Sequence, residues 1–182
     1  MKKKTTIAIV IVLVLCSTIF VAHYFFIGSW SSSNINRYIE VTKCITALPK
    51  MEDLGSYSDI EFKYYRKNML MFFSDAYTLK VSYDNENYQK EKDKFLQNYV
   101  YQTEPLHDDG GFEKEPSFEI DSYSFQMLSY ENYELQSYPH DMVFIGFSDE
   151  KNKIAIVYYF DSDLDYIDGS FSEFLEEECG WE

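Results

Sequence analysis

The sequence predicts an α+β domain carrying a mostly antiparallel sheet with flanking helices, set behind an N-terminal transmembrane helix. Three observations carry that expectation. Residues 7–27 form an apolar run behind Lys2-Lys3-Lys4. Apolar residues then recur with period two in several later stretches, the signature of half-buried strands. Between those stretches, capped segments of helical periodicity recur, giving the order α-β3-α-β3-α.

The first element is the apolar run. It contains no Asp, Glu, Lys or Arg. At 1.5 Å per residue it extends roughly 31 Å as a helix, close to the thickness of a hydrocarbon core. Ser17 and Thr18 can return their hydroxyls to the preceding turn. Tyr24 and Trp30 fall at the far end, where amphipathic rings favour the headgroup zone. Lysines precede the span and only Arg37 follows closely, an asymmetry that keeps residues 1–6 as a cytoplasmic basic tail. Residues 7–27 then form a single-pass signal-anchor, 28–34 a short linker, and 35–182 an extracytoplasmic domain at the cell membrane. A cleaved signal peptide fits less well, because its apolar core is only about 7–15 residues long. Leu13-Val14-Leu15-Cys16 lacks the small residue that a lipobox places before its cysteine.

Ser31-Ser32-Ser33-Asn34 offers N-caps for a helix through Ile35, Tyr38, Ile39, Val41, Thr42, Ile45 and Leu48, which Pro49 and Gly55 end. From Ile60 the period is two. Breaks at Arg66-Lys67-Asn68 and Ser74-Asp75 divide the stretch to Tyr83 into a three-strand meander. Asp84-Asn85 caps a charged helix to about residue 99, with Tyr88, Phe95, Leu96 and Tyr99 inward and Glu91, Lys92, Asp93 and Lys94 on its solvated face. Residues 102–117 are loop-like. Strand pattern resumes at Phe118 and shifts register near Asp121-Ser122, a bulge or a break. Met142 to Phe147 and Ile154 to Phe160 flank Ser148 to Lys153 as the clearest hairpin, with Ile154 to Tyr158 central in the sheet. Ser170 with Glu173 reads as a capping box for a last helix reaching Cys179.

Charge narrows the partners. All 31 acidic residues follow the apolar run, against 13 Lys and Arg once the three N-terminal lysines are set aside, so the exported part carries about −18. Such a surface repels nucleic acid and steers toward a basic protein partner or cations. Lys, Asn, Ile, Tyr and Phe are abundant while Gly and Pro are few, a bacterial low-GC composition. Aromatics make up 19% of the chain, a content that serves half-buried strands and binding surfaces alike.

Few motifs carry chemistry. Asp161, Asp163 and Asp165 have the first three oxygen spacings of a calcium loop, with Asp168 close behind. Tyr166 stands where an EF-hand needs glycine, and Ser172 where it needs a bidentate Glu, so an EF-hand is excluded and only a weak calcium site is left. His107-Asp108-Asp109 could supply a general base with an orienting carboxylate, but the exported part has only one other histidine, His140. Gly146-Phe147-Ser148 lacks the flanks of a nucleophile elbow, and there is no phosphate-binding loop, dinucleotide fingerprint or C-x-x-C. Cys44 and Cys179 are the exported cysteines, and an oxidising exterior would permit one bridge between them. The expected function is a membrane-anchored binding or interaction module, of immunity or inhibitor type, with no cofactor and no assembled catalytic set. The alternative is a cell-envelope hydrolase using loop carboxylates or His107 and His140.

Overall fold

The computed structural model describes residues 2–45, 47–107, 113–129, 140–162 and 171–181, with backbone alone at 2–5, 23–27, 106, 107, 113 and 140. Four helices and one seven-stranded antiparallel sheet form the described chain, an α+β fold as the sequence predicts. In chain order these are α1 (Lys2–Phe26), β1 (Ile27–Ser32), α2 (Asn36–Val41), β2 (Asp59–Met69), β3 (Phe72–Ser82), α3 (Asn85–Asn98), β4 (Leu106–His107) and β5 (Glu113–Lys114). Then follow β6 (Ser117–Ile120), β7 (Tyr123–Met127), β8 (His140–Ser148), β9 (Lys153–Asp161) and α4 (Phe171–Glu177). The main sheet runs β1-β2-β3-β9-β8-β7-β6, and β4 with β5 makes a separate two-stranded ribbon.

The strand pattern explains which layers form. β9 carries the continuous apolar run Ile154 to Tyr159, buried on both faces, and it occupies the fourth of the seven positions. Odd and even residues of its neighbours then supply two cores. One face packs Tyr38, Leu54, Tyr88 and Phe95 from the helical side on Leu79, Val143 and Ile156. The other packs Phe171, Phe174, Leu175 and Trp181 on Phe125, Phe144 and Tyr159. The result is three layers: α2 and α3, the sheet, and α4 with the C-terminal turn. Gly146 is dictated by this packing. A Cβ there would lie 2.5 Å from the Phe125 ring, which covers the glycine from the neighbouring strand.

Several expectations change. The meander from Ile60 is one long hairpin, because β2 and β3 pair without interruption from Asp59↔Ser82 to Met69↔Phe72. Arg66 and Asp75, read as turn residues, are cross-strand partners in that ladder. The Ser-rich stretch read as part of the linker forms most of β1, an edge strand paired with β2. Trp30 accordingly packs on the domain, its ring 4.8 Å edge-on from Tyr64. α2 stops at Val41, with turns carrying the chain to a buried Leu48, and the Tyr38 hydroxyl donates to the Pro49 carbonyl to fix the bend. Asn34 accepts from the Asn36 N–H just before α2, but no side chain caps the helix.

α3 is capped as expected, Asp84 accepting from the Asn87 N–H at 2.8 Å. Glu91, however, is 4% exposed, not solvated, and Leu96 faces solvent. Gly55, at φ +65°, leaves the space that the Glu91 carboxylate fills, while Lys94 pairs with it at 3.1 Å. The register shift near Asp121-Ser122 is a turn between β6 and β7, with Asp121 at φ +52°. The proposed capping residue Ser170 lies outside the described residues.

Among the described residues no helix is long and apolar enough to cross a membrane. α1 runs from Lys2 to Phe26, with side chains described at residues 6–22. Within it, Ser17 and Thr18 do return their hydroxyls to the Leu13 and Val14 carbonyls, each at 2.8 Å.

Candidate binding cleft

Strand alternation places the cleft. Tyr64 and Arg66 on β2 face the same side as Phe73, Asp75 and Tyr77 on β3 and Tyr158 and Phe160 on β9, and the register sets Arg66↔Asp75, Asp75↔Phe160 and Tyr77↔Tyr158 side by side. α2 and the turn after it cross above this row. Between them opens a cleft of about 430 Å³, whose upper wall is Arg37, Glu40, Val41, Cys44 and Ile45. That volume suits a small ligand or one large side chain.

The floor is aromatic. The Tyr77 and Tyr158 rings lie 5.7 Å apart, Tyr64 and Tyr77 4.8 Å, and Phe73 stacks on Phe160 at 5.3 Å. Its polar groups are mutually fixed. Arg66 donates from Nε and Nη2 to the two Asp75 oxygens at 2.6 and 2.5 Å, and the Tyr64 hydroxyl donates to Asp75 Oδ1 at 2.7 Å. The Arg66 guanidinium also lies over the Phe73 ring, 4.4 Å from its centroid. The hydrogen bond to Asp75 holds the Arg66 pKa above its ordinary value. Burial, helped by the Asp75 charge, keeps the Tyr64 phenol protonated and pushes that of Tyr77 up to about 12.

Arg37 differs. It sits over the Trp30 and Tyr64 rings, 4.7 and 4.9 Å from their centroids. Cation–π contact holds the guanidinium at the cleft mouth. Among the described residues no carboxylate pairs with it within 4 Å. A cleft with an aromatic floor, one neutralised arginine and one stacked on rings is suited to recognition. Asp75, the buried carboxylate in it, is already engaged by Arg66 and Tyr64, so it is poorly placed to act as a base.

The sequence-predicted site residues are dispersed. Asp161 ends β9 at 2% exposure, accepting from the Ser74 hydroxyl at 3.1 Å and from the Tyr159 hydroxyl at 3.1 Å. It is a strand-end carboxylate tied to the sheet. Asp163, Asp165 and Asp168 lie outside the described residues, and among the described ones no group of three or more ligands could hold a metal. The backbone puts His107 in β4 and His140 opposite Asp161 at the start of β8, with their side chains outside the described set. Cys44 and Cys179 are free thiols and do not form the bridge considered above. Cys44 is exposed at the cleft mouth, while Cys179 is buried in the opposite layer, where desolvation raises its pKa to about 12.

Arg37, Arg66, Asp75 and Tyr77 were not singled out from sequence. A period-two count carried through Tyr64-Tyr65-Arg66 would have put Arg66 on the inward face, and the same count from Tyr77 puts Asp75 beside it. Comparison of the chain with protein-family models, with curated proteins and with solved structures gives no match.

Proposed function

We propose that this chain is a membrane-anchored extracytoplasmic binding module, whose cleft receives an apolar or aromatic side chain of a basic protein partner. The cleft carries the proposal. It joins an aromatic floor to guanidinium groups already fixed in place, so few groups must be ordered on binding. Burying one large apolar side chain there is worth about 1.5–3 kcal/mol. The negative exterior adds long-range steering toward a basic partner, a rate effect of about 10–10³ that falls with salt.

Anchoring is supported by α1. Ile7, Ile9 to Leu15, and Ile19 to Val21 are all more than half exposed, so this helix is apolar around its circumference and the other described residues leave it open. An apolar surface of that extent is a membrane or protein contact. From Lys2 to Phe26 the helix continues beyond the described side chains at both ends, and the apolar run stays free of charge to Ile27. The lysines ahead of it favour a cytoplasmic N-terminus.

Calorimetric titration of the full chain in mild detergent tests the cleft, with a Lys-and-Phe peptide compared against its Glu-and-Phe counterpart. The cationic peptide should bind, weaken as salt rises, and lose its binding to Cys44→Phe, which fills the cleft from its mouth. Equal affinity for both peptides, or unchanged binding by Cys44→Phe, would refute the reading.

A further inference from the structure

The β2–β3 hairpin ends in a tip that water should disfavour. Met69, Leu70, Met71 and Phe72 are 53, 66, 83 and 37% exposed, the one run of four consecutive exposed apolar residues among the described residues after α1. Met69 pairs with Phe72, so Leu70 and Met71 are the whole loop. Leu70 adopts φ +60°, a conformation for which glycine or asparagine is the usual choice. A leucine there accepts backbone strain in order to present an apolar side chain outward.

The register says what the tip faces. Ile27, the residue directly after α1, pairs with Met69, and β1 continues from the helix without a break. At about 3.3 Å per strand residue, Leu70 and Met71 reach one step past Ile27, level with the last turn of α1. The hairpin also extends beyond the end of β9, since Ser74 is the last β3 residue paired to that strand, at Asp161. The nearest charged residue on β2, Lys67, pairs with Ser29 and so lies two residues farther from α1 than the Ile27↔Met69 pair.

We infer that the Met69–Phe72 tip inserts into the bilayer interface beside the exit of α1, giving the domain a second lipid contact that fixes its tilt on the membrane. This rests on the anchoring role proposed for α1. One helix alone would let the domain pivot, whereas two lipid contacts on adjacent strands define how the cleft is presented. Apolar side chains at a loop tip, with the charges set back, are the chemistry by which interfacial segments enter the headgroup and acyl boundary.

Site-directed fluorescence on the full chain tests it. In a Cys16→Ser, Cys44→Ser background, the buried Cys179 stays unlabelled, and single cysteines at Met71, at Val10 or at Glu150 in the opposite loop of the sheet carry an NBD group. The chain is reconstituted into phosphatidylcholine vesicles with or without doxyl-labelled lipid. Labels at 10 and 71 should lose most of their emission to the doxyl lipid, while the label at 150 keeps it. Quenching at 10 without quenching at 71 overturns the insertion and leaves the anchor standing. No quenching at 10 overturns the anchor. A blue shift at 71 that doxyl lipid does not quench would mean that protein, such as a second copy, covers the tip, and would also overturn the inference.

Discussion

Replacing Arg66 by Met removes one side of the ion pair under the cleft and leaves its length. The Asp75 side chain is 8% exposed and the Arg66 side chain 31% exposed. In Arg66→Met, the carboxylate keeps the Tyr64 hydroxyl but loses both guanidinium hydrogen bonds. Removing one partner of a buried pair costs about 3–5 kcal/mol. Water reaching the partly open Arg66 side puts this pair at the low end, about 3 kcal/mol. For a chain of this size each kcal/mol moves the melting temperature by about 2–4 °C, so the variant should melt about 6–12 °C lower. Adding Asp75→Asn removes the stranded charge and should recover at least half of the loss, the non-additivity expected of partners in contact. Thermal melting of the full chain in mild detergent, followed by circular dichroism, measures all three variants and the parent. A shift below about 2 °C for Arg66→Met, or a double variant as unstable as the sum of the singles, would refute the view that this pair fixes the cleft.

Two further outcomes follow from the packing. Burial raises the phenol pKa of Tyr38, Tyr64, Tyr83, Tyr88 and Tyr158 above 10, and those of Tyr77 and Tyr99 to about 12. The folded state therefore holds protons that the unfolded state releases above pH 10. The stability these groups contribute is full below that pH and is lost as pH rises through the folded values. Ultraviolet titration should show cooperative ionisation coupled to loss of the fold, and independent ionisation of these phenols near pH 10 in a still-folded chain would contradict it. Gly146→Ala forces a Cβ to 2.5 Å from the Phe125 ring. It should cost about 1–3 kcal/mol by overpacking, read as a lower urea midpoint that Phe125→Leu restores; an unchanged midpoint would refute the packing account.

Legibility in the sequence followed the range of the interactions. β9 could be read because its short apolar run, rich in β-branched and aromatic residues and led by a polar loop, fits a strand covered on both sides, and the β8–β9 hairpin followed from the polar loop between two such runs. The cap of α3 was legible because Asp84 and Asn87 are three residues apart. Arg66 and Asp75 were not, since charged residues signal a turn locally and only the pairing of β2 with β3 turns them into a buried pair. Glu91 was misread for the same reason, because the space it fills belongs to Gly55, thirty-six positions away. Ser29, Ser31 and Ser32 concealed β1, whose place depends on the edge that β2 offers. The cleft arises from three strands and one helix meeting, so no single stretch announces it.

Cys44 provides the most direct test of a cleft held outside the cell on a membrane anchor, because this native thiol is exposed at the cleft mouth while Cys179 is buried. Treating intact cells with a membrane-impermeant maleimide should label the full chain at Cys44, and Cys44→Ser should abolish the signal. Labelling that appears only after the cells are lysed would contradict the account, since it would put the cleft on the inner side of the membrane.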